Sequence, residues 1–278
     1  MRLICAGWIL ISALSCLEAA AAKLPESAKA ARESYQTILS LGWNTTPADA
    51  EKLESLLSKN PQDLAARTRL ISYYYQQMIA APRSRHILWL IENHPEAEVF
   101  SIASDIVQMS PGWHGLNNAG DGDKARMVWM QQAERFSSDP VVLANAAQAL
   151  SAEDSIRLMQ RLRSLEPSNA LWTLNLASVY AHAVRDAFNA EEPAARRTFT
   201  GPIRHREIWH MRLPFAGAAL APKLKSELES STDEELVLAT GELLVEESAA
   251  LGENGQSPDS VKSAAFGRQL LDRVRRGR

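Results

Sequence analysis

Apolar residues recur three and four positions apart along most of the chain, which is the period of an amphipathic helix. Val, Ile and Thr do not gather into the alternating runs that strands need. The pattern predicts a first helix over residues 25–41 and a second that begins at Pro47, after a Thr46 cap, and ends near Asn60. The chain is therefore expected to be all-α.

Prolines follow several of the predicted helices at repeated distances. Pro61 and Pro95 lie 34 residues apart. Apolar residues stand eight and five positions before three of the prolines: Leu53 and Leu56, Ile87 and Leu90, Met159 and Leu162. A helix that lays the same face on its neighbour in every structural unit needs this constant spacing.

The helices that follow two of the prolines share a second spacing. A leucine lies nine residues after the proline and a tyrosine thirteen after it, namely Leu70 with Tyr74 and Leu176 with Tyr180. Together with the 34-residue period, this resembles the tetratricopeptide repeat, in which a leucine, a small residue and a tyrosine line the first helix of each pair. The resemblance covers residues 47–185 and implies an α-solenoid of stacked antiparallel helix pairs. Another α-solenoid of similar helix pairs is the structural alternative.

The resemblance is incomplete at three places. Ile71 replaces the small residue of the pattern, and Arg83 replaces an alanine of the second helix. The segment Ser110–Asp123 is expected to form a loop inserted between helices, because it is rich in Gly, Asn and Asp. Asp123 is then expected to cap a helix over residues 124–135.

The pattern divides the chain into a repeat domain over residues 23–190, a connector over 191–213 and a C-terminal helical segment over 214–278. The connector is basic between Arg196 and Arg212. Either a docking surface for an acidic partner or a solvated face with local charge pairs fits this composition. The C-terminal segment is expected to form the helical cap that a solenoid needs.

Two sequence features predict helices in this C-terminal segment. Thr232 and Glu235 have the spacing of a capping box, which predicts a helix start at that point. The last helix is expected over residues 259–276. Its predicted apolar side consists of Val261, Ala265, Phe266, Leu270, Leu271 and Val274.

The first residues resemble a secretory signal peptide. Arg2 supplies a positive charge, Leu3–Leu17 is an uncharged apolar run, and Ala19–Ala22 offers small residues for cleavage. Residues 1–22 are therefore expected to be a signal peptide. An uncleaved anchor is the alternative, although the apolar run is shorter than the roughly 20 residues that span a bilayer.

Both cysteines, Cys5 and Cys16, lie within this segment, so the mature chain is expected to contain no disulfide and no cysteine metal site. The chain is then expected to be a periplasmic or secreted bacterial protein with no membrane span after cleavage. A lipoprotein modified at Cys16 is the minority alternative, because Ala13 and Leu14 invert the order usual before a lipidated cysteine.

Composition and charge exclude some classes of protein. The 278 residues are 46% hydrophobic and 23% charged, which is ordinary for a folded protein. A disordered chain has fewer apolar residues and a larger net charge. The net charge of −3 gives no reason to expect nucleic acid as a partner.

Candidate chemistry is sparse, and we expect no catalytic residues, no metal and no cofactor. No known nucleophile, phosphate-binding or metalloprotease motif is present. His205 and His210 are five positions apart, which on a helix places them on different faces. Asp121 and Asp123 lack the glutamate that would complete a calcium loop.

These observations favour an exported scaffold that binds a protein or peptide partner in the cell envelope. The first helices of stacked pairs line a concave surface, so the candidate binding residues there are Tyr73, Gln77 and Asn175. Trp113 and His114 are further candidates, because long loops often carry function. The alternatives are an all-helical periplasmic enzyme, a hydrolase or lyase, and a structural subunit of an envelope complex.

Overall fold

The computed structural model describes residues 33–107, 109, 120–191, 217–251 and 258–277. These residues are almost entirely helical and contain no strand, which confirms the all-α prediction. Residues 33–43 form α1. The helices that follow are α2 (Pro47–Lys59), α3 (Leu64–Gln76), α4 (Ala80–Asn93), α5 (Val99–Ile102), α6 (Ser104–Val107), α7 (Asp121–Arg135), α8 (Pro140–Ala149), α9 (Ala152–Leu165), α10 (Ala170–Glu191), α11 (Gly217–Ser230), α12 (Glu234–Leu251) and α13 (Pro258–Gly277).

Most helices pack against the next long helix along the chain. Contacts run from α2 to α3, α3 to α4, α4 to α7, and then through α7, α8, α9 and α10 in order. Helix α10 also packs against α11, α12 and α13, so it is the central helix of the C-terminal half. Within the described ranges, no helix combines the length and apolar character that a membrane crossing requires.

The buried apolar residues form two clusters. The larger extends from Ile71 on α3 to Val274 on α13 and includes residues of every long helix from α3 onward. The smaller lies between α2 and α3, and consists of Ala50, Leu57, Ala66, Leu70, Tyr73 and Tyr74. The N-terminal helices therefore have a small core of their own, beside the main one.

The predicted start of α2 is confirmed. The Thr46 side chain accepts a hydrogen bond from the Asp49 amide, the Asp49 carboxylate accepts one from the Thr46 amide, and Pro47 occupies the first turn. The predicted packing residues on α2 are partly wrong, because Leu57 is buried whereas Leu56 is 44% exposed. The face that α2 turns to α3 carries Ala50 and Leu57, seven residues apart, and Leu56 lies outside it.

Most of the other positions predicted from the proline spacings lie in the core. The residues eight and five positions before Pro95 and Pro167 are buried, and so are both leucine–tyrosine pairs. Helix α7 begins at Asp121, three residues earlier than predicted. Its N-cap is Gly120, whose φ of 87° suits glycine, so the prediction of Asp123 as the cap was wrong.

Two predictions in the C-terminal segment are corrected. Asp233, and not Thr232, caps α12, because its Oδ1 accepts the Leu236 amide at 3.0 Å. Glu235 is turned away from a capping box and accepts from Arg163 and Thr173. Val261 is 47% exposed, since the inner side of α13 passes through Ala264, Phe266, Leu270 and Val274. The signal segment and almost the whole connector lie outside the described residues.

Candidate functional site

An open apolar groove of about 640 Å³ lies beside the first helices. Its walls come from α1, α2, α3 and the segment that contains α5. Leu56, the exposed leucine of α2, lies on its edge. The lining residues are mostly aliphatic: Ile38, Leu41, Leu53, Leu56, Asp63, Leu64, Ala65, Ala66, Thr68, Arg69, Leu90, Ala97, Glu98, Val99 and Ile102.

The α1 wall is held against α3 by a close backbone approach. Ser72 Oγ donates to the Ile38 carbonyl at 2.7 Å and accepts from the Gly42 amide at 3.1 Å. A Cβ atom on Gly42 would lie 2.5 Å from the Ser72 carbonyl oxygen, which is closer than such contacts occur. Glycine at this position is therefore required for α1 to form the groove wall.

The charged side chains that line the groove differ in their hydrogen bonds and exposure. Asp63 caps α3 by accepting the Ala66 amide at 2.9 Å. Arg69 donates from Nε to Thr45 Oγ1 at 2.8 Å and from Nη2 to the Asn44 carbonyl, so its guanidinium is directed to the α1–α2 turn. Glu98 is exposed at the other side. Two carboxylates, Asp63 and Glu98, and one guanidinium, Arg69, therefore line the groove, which gives its lining a net charge of −1.

A polar network lies beside the groove and joins three helices. Glu54 of α2 accepts three hydrogen bonds at Oε1, from Tyr74 Oη at 2.7 Å, Arg85 Nη2 at 2.9 Å and His86 Nε2 at 3.0 Å. The rings of Tyr74 and His86 are stacked, with centroids 5.9 Å apart. The carboxylate thereby connects α2 to both α3 and α4.

Arg67 of α3 completes this network on the other side of His86. Its Nη1 lies 3.1 Å from His86 Nδ1, its Nη2 donates to the Pro61 carbonyl at 2.8 Å, and its guanidinium covers the Trp89 ring at 3.5 Å. An arginine can only donate, so Nδ1 must accept. The imidazole is therefore neutral, with its proton on Nε2, and donates to Glu54.

The pKa values of the network fit this assignment. Burial lowers the pKa of His86, and the opposing attraction of Glu54 does not restore it. Burial alone would raise the pKa of Glu54, but the hydrogen bonds from His86 and Tyr74 outweigh it and lower that pKa. Burial, together with the Glu54 carboxylate, raises the pKa of Tyr74. At neutral pH the network holds one anion, two cations and a neutral imidazole.

The candidate binding residues that the structure describes do not form one site. Tyr73 is buried in the small core and packs edge-on against Tyr74, with centroids 5.3 Å apart. Gln77 is exposed at the C-terminal cap of α3. Asn175 is buried on α10, and its Oδ1 has no hydrogen-bond partner. Trp113 and His114 lie outside the described residues.

Sequence reasoning missed both the groove and the network. Leu53, Leu56 and Leu57 lie within five residues on α2 and form an apolar face wider than packing against one helix needs. This extra apolar width was the one sequence signal for the groove. No comparable signal exists for Glu54, Arg67 and His86, which are distant in sequence and each ordinary on a helix surface.

Neither a metal site nor a known relative identifies the function of the groove. Among the described residues, no group of three or more His, Cys, Asp or Glu side chains could hold a metal ion. Comparison of the chain with models of protein families, with curated proteins and with solved structures finds no match. The function must therefore be argued from the geometry.

Proposed function

We propose that this protein is an exported helical-repeat scaffold, of the tetratricopeptide-like kind, that binds a peptide segment of a protein partner in the cell envelope. The observation that carries the proposal is the open aliphatic groove of about 640 Å³ with the exposed Leu56 on its edge. Concave, mostly apolar sites with a few polar groups are the usual form of a binding site.

The helix arrangement supports the scaffold part of the proposal. Long helices pack on their successors in chain order, and α3 also contacts α6 while α5 contacts α8. Stacked helix pairs produce both kinds of contact, between neighbours in sequence and between the first helices of successive pairs. The proposed export rests on the charged, apolar and small-residue order of residues 1–22.

The chemistry of the groove selects the kind of peptide. Its aliphatic lining fits leucine-sized side chains, spaced as on one side of a short helix or in an extended segment. Glu98 lines the groove and is exposed, whereas Arg69 is turned to Thr45 and Asn44. We therefore propose an aliphatic peptide flanked by Lys or Arg, because opposite charges favour association with this rim.

The contribution of Leu56 can be estimated from its exposure. Full burial of a leucine side chain stabilises by roughly 1.5–3 kcal/mol. Since 44% of Leu56 is exposed in the free protein, covering it with a ligand contributes about 1 kcal/mol. That corresponds to about a fivefold change in Kd.

The test measures the binding of fluorescent peptides with leucines at positions i and i+4, flanked by Lys or by Glu. We expect the Lys-flanked peptide to bind and the Glu-flanked peptide to bind at least about fivefold more weakly. Leu56→Lys should weaken binding by about tenfold or more, since it removes apolar contact and adds a like charge.

Leu165→Lys is the matched control. Leu165 is 40% exposed in the last turn of α9, away from the groove, so the same substitution changes the surface equally. Equal binding by both variants, or no preference between the two peptides, would refute the groove as the binding site.

A further inference from the structure

We infer that His86 makes the groove sensitive to pH: protonation of its imidazole loosens α2 against α3 and α4 and thereby weakens peptide binding. The inference concerns the regulation of the groove and rests on the proposed function. It depends on the position of His86 between a guanidinium and a carboxylate, at the junction of three helices.

The geometry allows only the neutral imidazole to make both contacts. His86 is almost completely buried, and its Nδ1 accepts from Arg67 at 3.1 Å while its Nε2 donates to Glu54 at 3.0 Å. A protonated imidazole carries a hydrogen on both nitrogens. The Arg67 hydrogen bond would then be lost, and two cationic groups would face each other at that distance.

The groups that surround His86 on each side set the balance of charge. Helix α2 contributes Glu54, α3 contributes Arg67 and Tyr74, and α4 itself contributes Arg85. Helix α7, which also packs on α4, makes its hydrogen bond there through the uncharged Gln132 amide to the Glu92 carbonyl. One carboxylate, shared with Tyr74 and Arg85, would therefore have to offset three cationic groups.

The same residues adjoin the groove. Glu54 follows Leu53 on α2, and Arg67 lies between Ala66 and Thr68 on α3. Leu53, Ala66 and Thr68 all line the groove. Beyond the network, α2 is held by the small core with α3 and by the α1–α2 turn. Glu54 accepts from Tyr74 on α3 and from His86 on α4, so repulsion that separates Arg67 from His86 would strain or break one of these two bonds. The wall that carries Leu53 and Leu56 would thereby loosen.

The direction of the pH effect follows from linkage. Burial lowers the pKa of His86 in the folded protein below the ordinary value of about 6.5 that it has in the unfolded chain. The stabilising contribution of the neutral imidazole is then complete above that value and is lost as the pH falls below it. The groove is expected to be formed at neutral pH and weakened in mild acid.

The first measurement follows α2 itself, in the full chain and without any peptide. Hydrogen exchange of the α2 amides is compared at about pH 7.5 and about pH 5.5, after correction for intrinsic exchange. We expect at least about threefold faster corrected exchange in α2 at the lower pH, and a smaller change in α8 and α9.

Substitutions test whether His86 is the group that causes the pH effect. His86→Gln removes the titrating group and should abolish the pH difference in α2. His94→Gln replaces the half-buried histidine at the C-cap of α4 and should leave the difference intact. If His86→Gln does not fold, Glu54→Gln provides the second test. Removing the carboxylate makes imidazole protonation harder, so the acid transition of α2 should move to lower pH.

Peptide binding is the second measurement and keeps the two proposals distinguishable. If the Lys-flanked peptide binds at about pH 7.5 and several-fold more weakly at about pH 5.5, with the difference lost in His86→Gln, the inference holds. A pH-dependent α2 with no peptide binding would refute the groove function but keep the switch. Corrected exchange that is equal at both pH values would refute the switch.

Discussion

The turn between α3 and α4 contains a residue in an unfavourable backbone conformation. Met78 has a φ of 57°, in the left-handed region. The Ile79 amide donates to the Tyr74 carbonyl at 2.9 Å, and the Met78 amide donates to the Tyr75 carbonyl at 3.2 Å. These two hydrogen bonds define a Schellman motif, whose left-handed position is usually glycine.

Replacement of Met78 by Gly and by Ala separates the backbone effect from the loss of the side chain. Both variants remove the methionine, so the difference between them reports the backbone. The left-handed conformation costs a residue with a Cβ about 1–2 kcal/mol, while glycine loses about 0.5–1 kcal/mol more conformational freedom on folding. We expect Met78→Gly to be more stable than Met78→Ala by about 0.5–1 kcal/mol.

Met127 provides a control at which the Gly and Ala variants should have the opposite order of stability. It is 57% exposed, close to the 55% of Met78, and lies inside α7. There Met127→Gly should be less stable than Met127→Ala by about 1 kcal/mol. Urea denaturation followed by circular dichroism gives the free energies of unfolding of the four variants. A Gly–Ala difference of the same sign at both positions would refute the argument.

Three further predictions concern the free energy of unfolding, measured in the same way. Asp233→Ala should destabilise the protein by about 1 kcal/mol or more, because it removes the α12 cap. Thr232→Ala should change the stability by less than about 0.5 kcal/mol. Equal effects of the two substitutions would contradict the cap assignment. Gly267→Ala should destabilise by about 1–3 kcal/mol, since its Cβ would lie 2.8 Å from a carbonyl oxygen of α12, while Gly277→Ala, with open space around it, serves as the unaffected control. Arg83→Met should cost about 2–3 kcal/mol through its lost hydrogen bonds, and a near-neutral result would contradict the role of the buried guanidinium.

Local signals predicted the helices well. A threonine followed by a proline and, three residues after the cap, an aspartate fixes the start of α2 through contacts within a single turn. The spacing of Leu70 to Tyr74 and of Leu176 to Tyr180 predicted buried positions, and all four are in the core. These predictions succeeded because the residues that decide them are close in sequence.

The site could not be predicted because its contacts join distant segments. The Glu54–His86 hydrogen bond spans 32 residues and the Arg67–His86 contact spans 19. The same limit explains the error at the α12 cap. Thr232 and Glu235 satisfy the local pattern, but Arg163 of α9, about 70 residues away, bonds the carboxylates of both Asp233 and Glu235, and Asp233 caps the helix.

Arg83, which stands where the tetratricopeptide pattern predicts an alanine, has a structural role. After Pro95 the chain forms two one-turn helices, α5 and α6. Short helices leave carbonyls that must be satisfied by groups outside the helix. Arg83, fully buried on α4, donates from Nε at 2.9 Å and from Nη2 at 2.5 Å to the Ile106 carbonyl. An alanine at position 83 has no side-chain donor, so the arginine satisfies a carbonyl of the short helix α6 that an alanine would leave without this partner.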